Sequence, residues 1–363
     1  MGLVALLPAL GASNPTGQPG QWASVVGEDN RAPVPAHGAT TCGQPLNVGY
    51  RVMTLGGVKA AVWYPTTASE TRFQYAAYAA TALATNAPPA PCGKFPLIMF
   101  SHGLTGCALQ SLFFTEALAR RGYVVVAPDH ADAMWCHVDM PVDTAKPRGG
   151  RKKARLGGEG GAFPSGSNLL KPQTWTDQSY VNRGRDLKNA LDALLADPEF
   201  APVIDANRIG VAGHSLGGYT AAGVVGGWES WKDPRYKAAL LLSPYVVPFI
   251  IQDTLKNIRV PVMYQGGTLD LGITPFVKNH GGAYEKSNAP KYFLDLARAG
   301  HFAWTDASCR KLTVPQCLAS RPRVKIINDY AFAFLDHYVK GDPASPLLHK
   351  RVLGVNDYRY QEE

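Results

Sequence analysis

The chain has 363 residues, 46% of them hydrophobic, so it can bury a large core as one α/β domain with insertions or as about two domains. No stretch is long and apolar enough to span a bilayer. The net charge of +8 raises the question of nucleic acid, but Lys146, Arg148, Arg151, Lys152, Lys153 and Arg155 fall in one Gly-rich run without interleaved aromatics. DNA and RNA are therefore rejected as partners, and the charge leaves weak attraction to anionic lipid, cell wall or an acidic substrate.

Residues 1–13 read as the apolar core and small-residue end of a secretory signal that lacks its basic start, or as a short tail. Export, to a secreted or periplasmic location, is also the reading of the six cysteines, Cys42, Cys92, Cys107, Cys136, Cys309 and Cys317. None has a zinc-like C-x-x-C spacing and none is placed as a nucleophile, which suits disulfides, with Cys309 and Cys317 the first pair to expect. Residues 14–45 are an irregular lead-in. Strands are predicted at 50–55 and 59–64, joined by a hairpin at Gly56-Gly57. Further strands are expected at 95–101 and 123–128, with a helix over 109–121 between them. Residues 131–173 break the rhythm and mark a long insertion. An amphipathic helix over 176–195 follows, then strands at 209–212, 238–242, 260–264 and 292–296, and a helix over 324–339. Strands alternating with helices predict an α/β fold with a mostly parallel central sheet flanked by helices and an antiparallel N-terminal edge. One such domain spans 46–345, and 346–363 reads as a C-terminal tail.

The chemistry is concentrated in Gly213-His214-Ser215-Leu216-Gly217, which runs from a buried strand into a helix of small residues. This is a G-x-S-x-G nucleophile elbow in its required setting. A serine at such a turn sits in strained backbone, and a side chain at Gly213 or Gly217 would collide with the neighbouring strand or helix.

A serine hydroxyl needs an adjacent base, itself oriented by a carboxylate, and in this arrangement the acid and then the histidine follow the serine. Asp270 and His301 each lie in a loop after a strand, in that order, and are the candidate acid and base. Asp129 also follows a strand and is the alternative acid. His102 precedes the elbow and suits a backbone-organising role, whereas His214 suits packing or hydrogen bonding away from Ser215. His130, His137 and His280 show no acid partner at suggestive placement, and His37, His337 and His349 read as surface. Asp295 and Asp306 are assigned structural roles. The oxyanion hole requires two backbone N–H groups, expected at Leu216 and, in the loop Ser101-His-Gly-Leu-Thr-Gly106, at Leu104 with Thr105 as fallback. Trp304, Phe302, Trp175 and Tyr180 are candidates to line an apolar pocket. No metal or organic cofactor is called for.

The stretches 95–104 and 121–130, together with the elbow, resemble the platelet-activating-factor acetylhydrolase family and the dienelactone-hydrolase-related esterases. The resemblance covers roughly residues 50–340. It implies an α/β-hydrolase fold and carboxylic ester hydrolysis by Ser215, Asp270 and His301, with Leu104 and Leu216 as oxyanion donors. A dienelactone hydrolase proper would carry cysteine at position 215. The expected activity is that of a secreted serine esterase on short- to medium-chain esters, lipid esters or polyesters. The alternatives are an amidase, thioesterase or acyltransferase on the same site, or a non-catalytic binding protein of this fold.

Overall fold

The computed structural model describes residues 45–75, 80–134, 136–138, 169–309 and 312–363, all within one compact unit. The expected signal, the lead-in up to residue 44 and the basic run at 146–155 lie outside the described residues, as does most of the expected insertion.

The chain enters through β1 (Asn47–Leu55) and β2 (Val58–Thr66), paired antiparallel. Gly56 and Gly57 between them both take positive φ, 58° and 89°, as a two-residue hairpin turn with right-handed strand twist requires. There follow β3 (Thr71–Gln74), β4 (Ala80–Thr85), β5 (Phe95–Ser101), α1 (Leu112–Arg120) and β6 (Val124–Pro128). The second half runs through α2 (Val181–Leu195), β7 (Ile204–His214), α3 (Leu216–Ala222), β8 (Tyr236–Leu242), α4 (Val247–Ile251) and β9 (Val262–Gly267). It ends with α5 (Thr274–Lys278), α6 (Ala283–Lys286), β10 (Lys291–Leu296), α7 (Val314–Ser320), α8 (Pro322–Leu335) and β11 (Val355–Gln361).

The strands order as β11-β10-β9-β8-β7-β5-β6-β2-β1-β4-β3. From β6 to β10 every pairing is parallel, and β2 and β11 close that parallel block antiparallel on either side. A parallel block is covered on both faces, which is why β5, β6, β9 and β10 are buried at every residue. Alternate side chains serve opposite layers. Ile98 and Phe100 pack with Phe114 of α1 and Phe334 of α8, whereas Leu97 and Met99 pack with Leu187 of α2 and Tyr219 of α3. Because β5, β7, β8, β9 and β10 run in one direction, their carboxyl ends at Ser101, His214, Leu242, Gly267 and Leu296 open onto a common edge.

Several boundaries differ from those expected. The first helix begins at Leu112 rather than 109, because 107–110 is held in turns and Cys107 is disulfide-bonded to Cys136. The next begins at Val181 rather than 176, because Tyr180 takes a left-handed φ of 59°. The last stops as an α-helix at Leu335 and widens into a π-helical turn to Lys340. The residues read as a tail form a short helical turn at Pro346–His349 and then β11, which pairs along β10 from Lys291 to Leu296. That strand reads Val-Asn-Asp-Tyr-Arg-Tyr-Gln, mostly exposed and polar, so hydropathy does not reveal it. Cys309 and Cys317 are bonded to each other.

Candidate active site

Ser215 sits between β7 and α3 with φ 55° and ψ −117°, outside the regions open to most L-residues. The tightness expected of the two glycines is present. A Cβ on Gly213 would lie 2.2 Å from the Gly217 carbonyl oxygen, and one on Gly217 would lie 1.9 Å from the Ser101 carbonyl oxygen. No side chain fits at either position, so β7, α3 and the end of β5 close on one another only with glycine there.

His301 stands in the loop after β10 with Nε2 2.9 Å from Ser215 Oγ. Its Nδ1 faces Asp270 Oδ2 at 3.2 Å, and Asp270, in the turn after β9, is buried. Asp129, the alternative acid, lies elsewhere. Its carboxylate accepts from Ala108 N and Val138 N, bracing the loop that carries Cys107.

Sequence reasoning missed Ser243, at the end of β8 in Leu242-Ser-Pro-Tyr245. Its Oγ hydrogen-bonds Asp270 Oδ2 and lies 2.9 Å from His301 Nδ1. The carboxylate only accepts, so the single Ser243 proton points at Asp270 and Oγ must accept from Nδ1–H. The hydrogen of His301 is therefore on Nδ1, shared between Asp270 and Ser243, and Nε2 presents its lone pair to Ser215. The signal for Ser243 was available: it follows a parallel strand at the carboxyl edge, by the same rule that selected Asp270.

The loop after β5 is held from several sides. The wholly buried Arg183 of α2 clasps Asp132 through Nε (3.0 Å) and Nη2 (2.8 Å). It also donates to the carbonyls of His102 (2.7 Å) and Gly103 (3.2 Å). Asp132 in turn accepts from Thr105 N at 3.0 Å, and the clasp of Arg183 keeps its carboxyl well below the usual range despite burial. Gly103 N donates to Gln110 Oε1 at 3.0 Å. The N–H groups of Gly103 and Thr105 are thus committed, whereas Leu104 N between them has no acceptor among the described residues. Leu216 N, in the first turn of α3, is likewise open.

His102 accepts from His130 N at 3.1 Å, and its Nδ1–H meets the Gly103 carbonyl at 2.7 Å. For His130 the expectation is corrected: it has an acid partner, Asp186 at 2.8 Å, with Ser101 Oγ 2.8 Å from its other nitrogen. Asp186 lies 56 residues away on α2, a distance at which spacing gives no cue. Burial pushes His102 and His130 well below the usual histidine range and raises Asp186 to about 6. Ser101 and His130 are enclosed, so this second Ser–His–Asp set braces the loop from within. His137 and His280 also face carboxylates, Asp129 at 3.6 Å and Glu285 at 3.1 Å, and His349 pairs with Glu362.

Of the aromatic candidates, only Phe302 is exposed, edge-on to the His301 ring. Trp304 is enclosed in the core with its indole N–H on Gln265 Oε1, and Trp175 and Tyr180 are buried against Tyr219. Tyr245, which sequence reasoning passed over, is nearer the elbow: its N–H donates to the Ser215 carbonyl at 3.0 Å. Among the described residues no group of three or more His, Cys, Asp or Glu is arranged to hold a metal ion, and no helix is long and apolar enough to cross a membrane.

Two family descriptions match the chain. Residues 170–322 match a family described as PET hydrolase-like, and residues 59–153 match platelet-activating factor acetylhydrolase, isoform II. Among individual relatives, the platelet-activating factor acetylhydrolase of Cavia porcellus is 26% identical over 49% of this chain and 41% of its own length. Cutinase 2 of Thermobifida cellulosilytica is 29% identical over 44% of this chain and 53% of its own. Cutinase est1 of Thermobifida alba is 33% identical over 34% and 39% respectively. The chain thus spans about half, or less, of the length of the curated relatives it matches. These relatives bear out the resemblance read from the motifs: the chain is related to the ester-hydrolysing α/β-hydrolases of the acetylhydrolase and cutinase kind.

Proposed function

We propose that the protein is a secreted serine esterase in which Ser215 is the nucleophile, His301 the base and Asp270 the acid. The observation that carries this reading is the 2.9 Å approach of His301 Nε2 to the hydroxyl of a serine in strained backbone, with Nδ1 held on Asp270. Ser215 Oγ attacks the acyl carbon as its proton passes to Nε2. The carbonyl oxygen takes up the negative charge between Leu216 N–H and Leu104 N–H, each such donor being worth roughly 10²–10³ in turnover. The intermediate collapses and expels the alcohol, which takes the proton from Nε2. A water then gives its proton to Nε2 and attacks the acyl-serine, and the carboxylic acid departs as Ser215 recovers its hydrogen. Asp270 and Ser243 hold Nδ1–H throughout and stabilise the imidazolium that forms twice.

Large esters presented on a surface fit the rim best. Leu269 and Leu271, on either side of Asp270, are 62% and 76% exposed, and Phe302 beside His301 is 68% exposed. Apolar side chains left in water beside Asp270 and His301 favour a substrate that brings its own apolar surface, a lipid or a polyester. The disulfides Cys107–Cys136 and Cys309–Cys317 suit an oxidising compartment and so support export.

The test compares matched p-nitrophenyl esters, anilides and thioesters, and then soluble esters with a polyester film and lipid dispersions. Esters should be turned over fastest. Faster anilide or thioester cleavage would move the protein to the amidase or thioesterase class.

A further inference from the structure

A chain of hydrogen bonds joins the loop that bears His301 to the loop that bears Leu104, and the polarity of every link is forced. At one end Gly103 N–H, a donor only, lies 3.0 Å from Gln110 Oε1, which fixes the amide so that Nε2 points the other way. That Nε2 is 2.9 Å from His214 Nδ1. At the other end His214 Nε2 is 2.9 Å from the His301 carbonyl oxygen, an acceptor only, so Nε2 carries a hydrogen. Burial first, and then the charge of His301, push the His214 pKa down to about 3, so the ring is neutral and has one hydrogen to give. Nδ1 is therefore bare and accepts from Gln110. The remaining amide N–H faces Ser111 Oγ at 3.5 Å.

We infer that Gln110 and His214 are positioning residues: together they set the spacing between the His301 loop and the oxyanion loop, with Gln110 selecting the His214 tautomer that makes this possible. The inference rests on the serine–histidine reading above. The surroundings are built for it. A Cβ on Gly103 would lie 3.0 Å from His214 Nδ1, 3.2 Å from Gln110 Oε1 and 3.4 Å from Ser215 Cβ, so glycine lets the loop come this close. The Gln110 carbonyl accepts from Asp306 N at 2.9 Å, and Ser111 Oγ donates to the Trp304 carbonyl at 2.8 Å. The main chain on either side of the relay is thus tied across the same gap. With Nε2 of His301 on Ser215 and Leu104 N–H one residue beyond Gly103, any slip along this chain moves base and oxyanion donor relative to each other.

Two readouts test it. In ¹⁵N-histidine spectra at neutral pH, His214 should show a bare Nδ1 and a protonated Nε2, in the wild type and in Ser215→Ala alike. In Gln110→Glu the carboxylate cannot donate, so Nδ1 should become protonated. In kinetics, Gln110→Leu and His214→Phe should each lower kcat on a p-nitrophenyl ester about 10- to 100-fold, the scale of a small misplacement, with KM within about threefold. Because both act through one chain, the double variant should lose little more than the worse single one. A protonated Nδ1 in the wild type overturns the inference, as do losses that multiply or an unchanged kcat in Gln110→Leu. If either apolar variant fails to fold, the wild-type and Gln110→Glu spectra still decide. Turnover surviving in Ser215→Ala would sink the serine reading instead, and the tautomer would still report on the relay.

Discussion

Ser215 holds φ 55° and ψ −117°, and Ser243, which bridges Asp270 and His301, holds φ 43°. Each such conformation costs on the order of 1–3 kcal/mol and persists only where the surroundings over-determine it. Here the surroundings are the glycine contacts under the elbow and the hydrogen bonds around His301. Order along the chain selects Ser215, Asp270 and His301 as candidates, and the three lie within hydrogen-bond reach. It left Asp129 open as acid because both aspartates follow a strand. The choice depends on which loop crosses to His301, and that is a property of the assembled sheet. Asp129 is instead occupied with two backbone N–H groups near Cys107. Asp270→Asn should therefore lower kcat by about 10⁴, the effect of losing the acid that orients the base. Asp129→Asn should lower the thermal midpoint while leaving kcat per folded molecule within a few-fold. Steady-state kinetics beside calorimetry on both variants check this, and the opposite ranking would reassign the acid.

At the scale of elements, α1 shows how a helix start is set by a partner far away in sequence. Its N-cap, Ser111, makes no capping bond. The carboxyl oxygens of Asp306 instead accept from Leu112 N at 2.6 Å and Phe113 N at 3.1 Å, filling the helix N-terminus from the loop after His301. Capping signals are sought within a few residues, so the periodic pattern put the start three residues early. Burial raises the Asp306 pKa to about 8, with the two N–H donors pulling it back and the charge of Glu116 adding to the rise. In the unfolded chain an aspartate releases its proton near pH 4. Between those values folding takes up a proton, so this group's contribution is complete below about pH 4 and is lost as pH rises through about 8. Urea midpoints of wild type and Asp306→Asn, taken from pH 4 to pH 8, should show the wild type's margin shrinking with rising pH. A margin that grows would mean that Asp306 is ionised in the folded state. The missed strand β11 has a related cause: an edge strand with one neighbour needs no apolar face, so backbone pairing with β10 defines it and composition does not.

For the molecule as a whole, the alternation of buried strands and helices made the α/β architecture legible, because a parallel block covered on both faces leaves near-continuous apolar runs. Less legible was how the loops at the carboxyl edge brace one another. Arg183 reaches from α2 to the loop after β5, Asp306 from the His301 loop to α1, and Gln110 and His214 span the gap between. These contacts join residues dozens to hundreds of positions apart and leave no periodic trace. Three of the four pocket candidates, Trp304, Trp175 and Tyr180, are buried and serve as filling between layers. On the proposed reading the chemistry centres on Ser215, raised on the elbow at the open edge of the sheet. Covalent capture is the most direct test of that claim. The folded protein is treated with a fluorophosphonate or quenched during turnover of a p-nitrophenyl ester, and the modified peptide is mapped by mass spectrometry. The adduct should sit on Ser215 alone, and both adduct and turnover should vanish in Ser215→Ala. An adduct on another residue, or turnover surviving in that variant, would contradict the account.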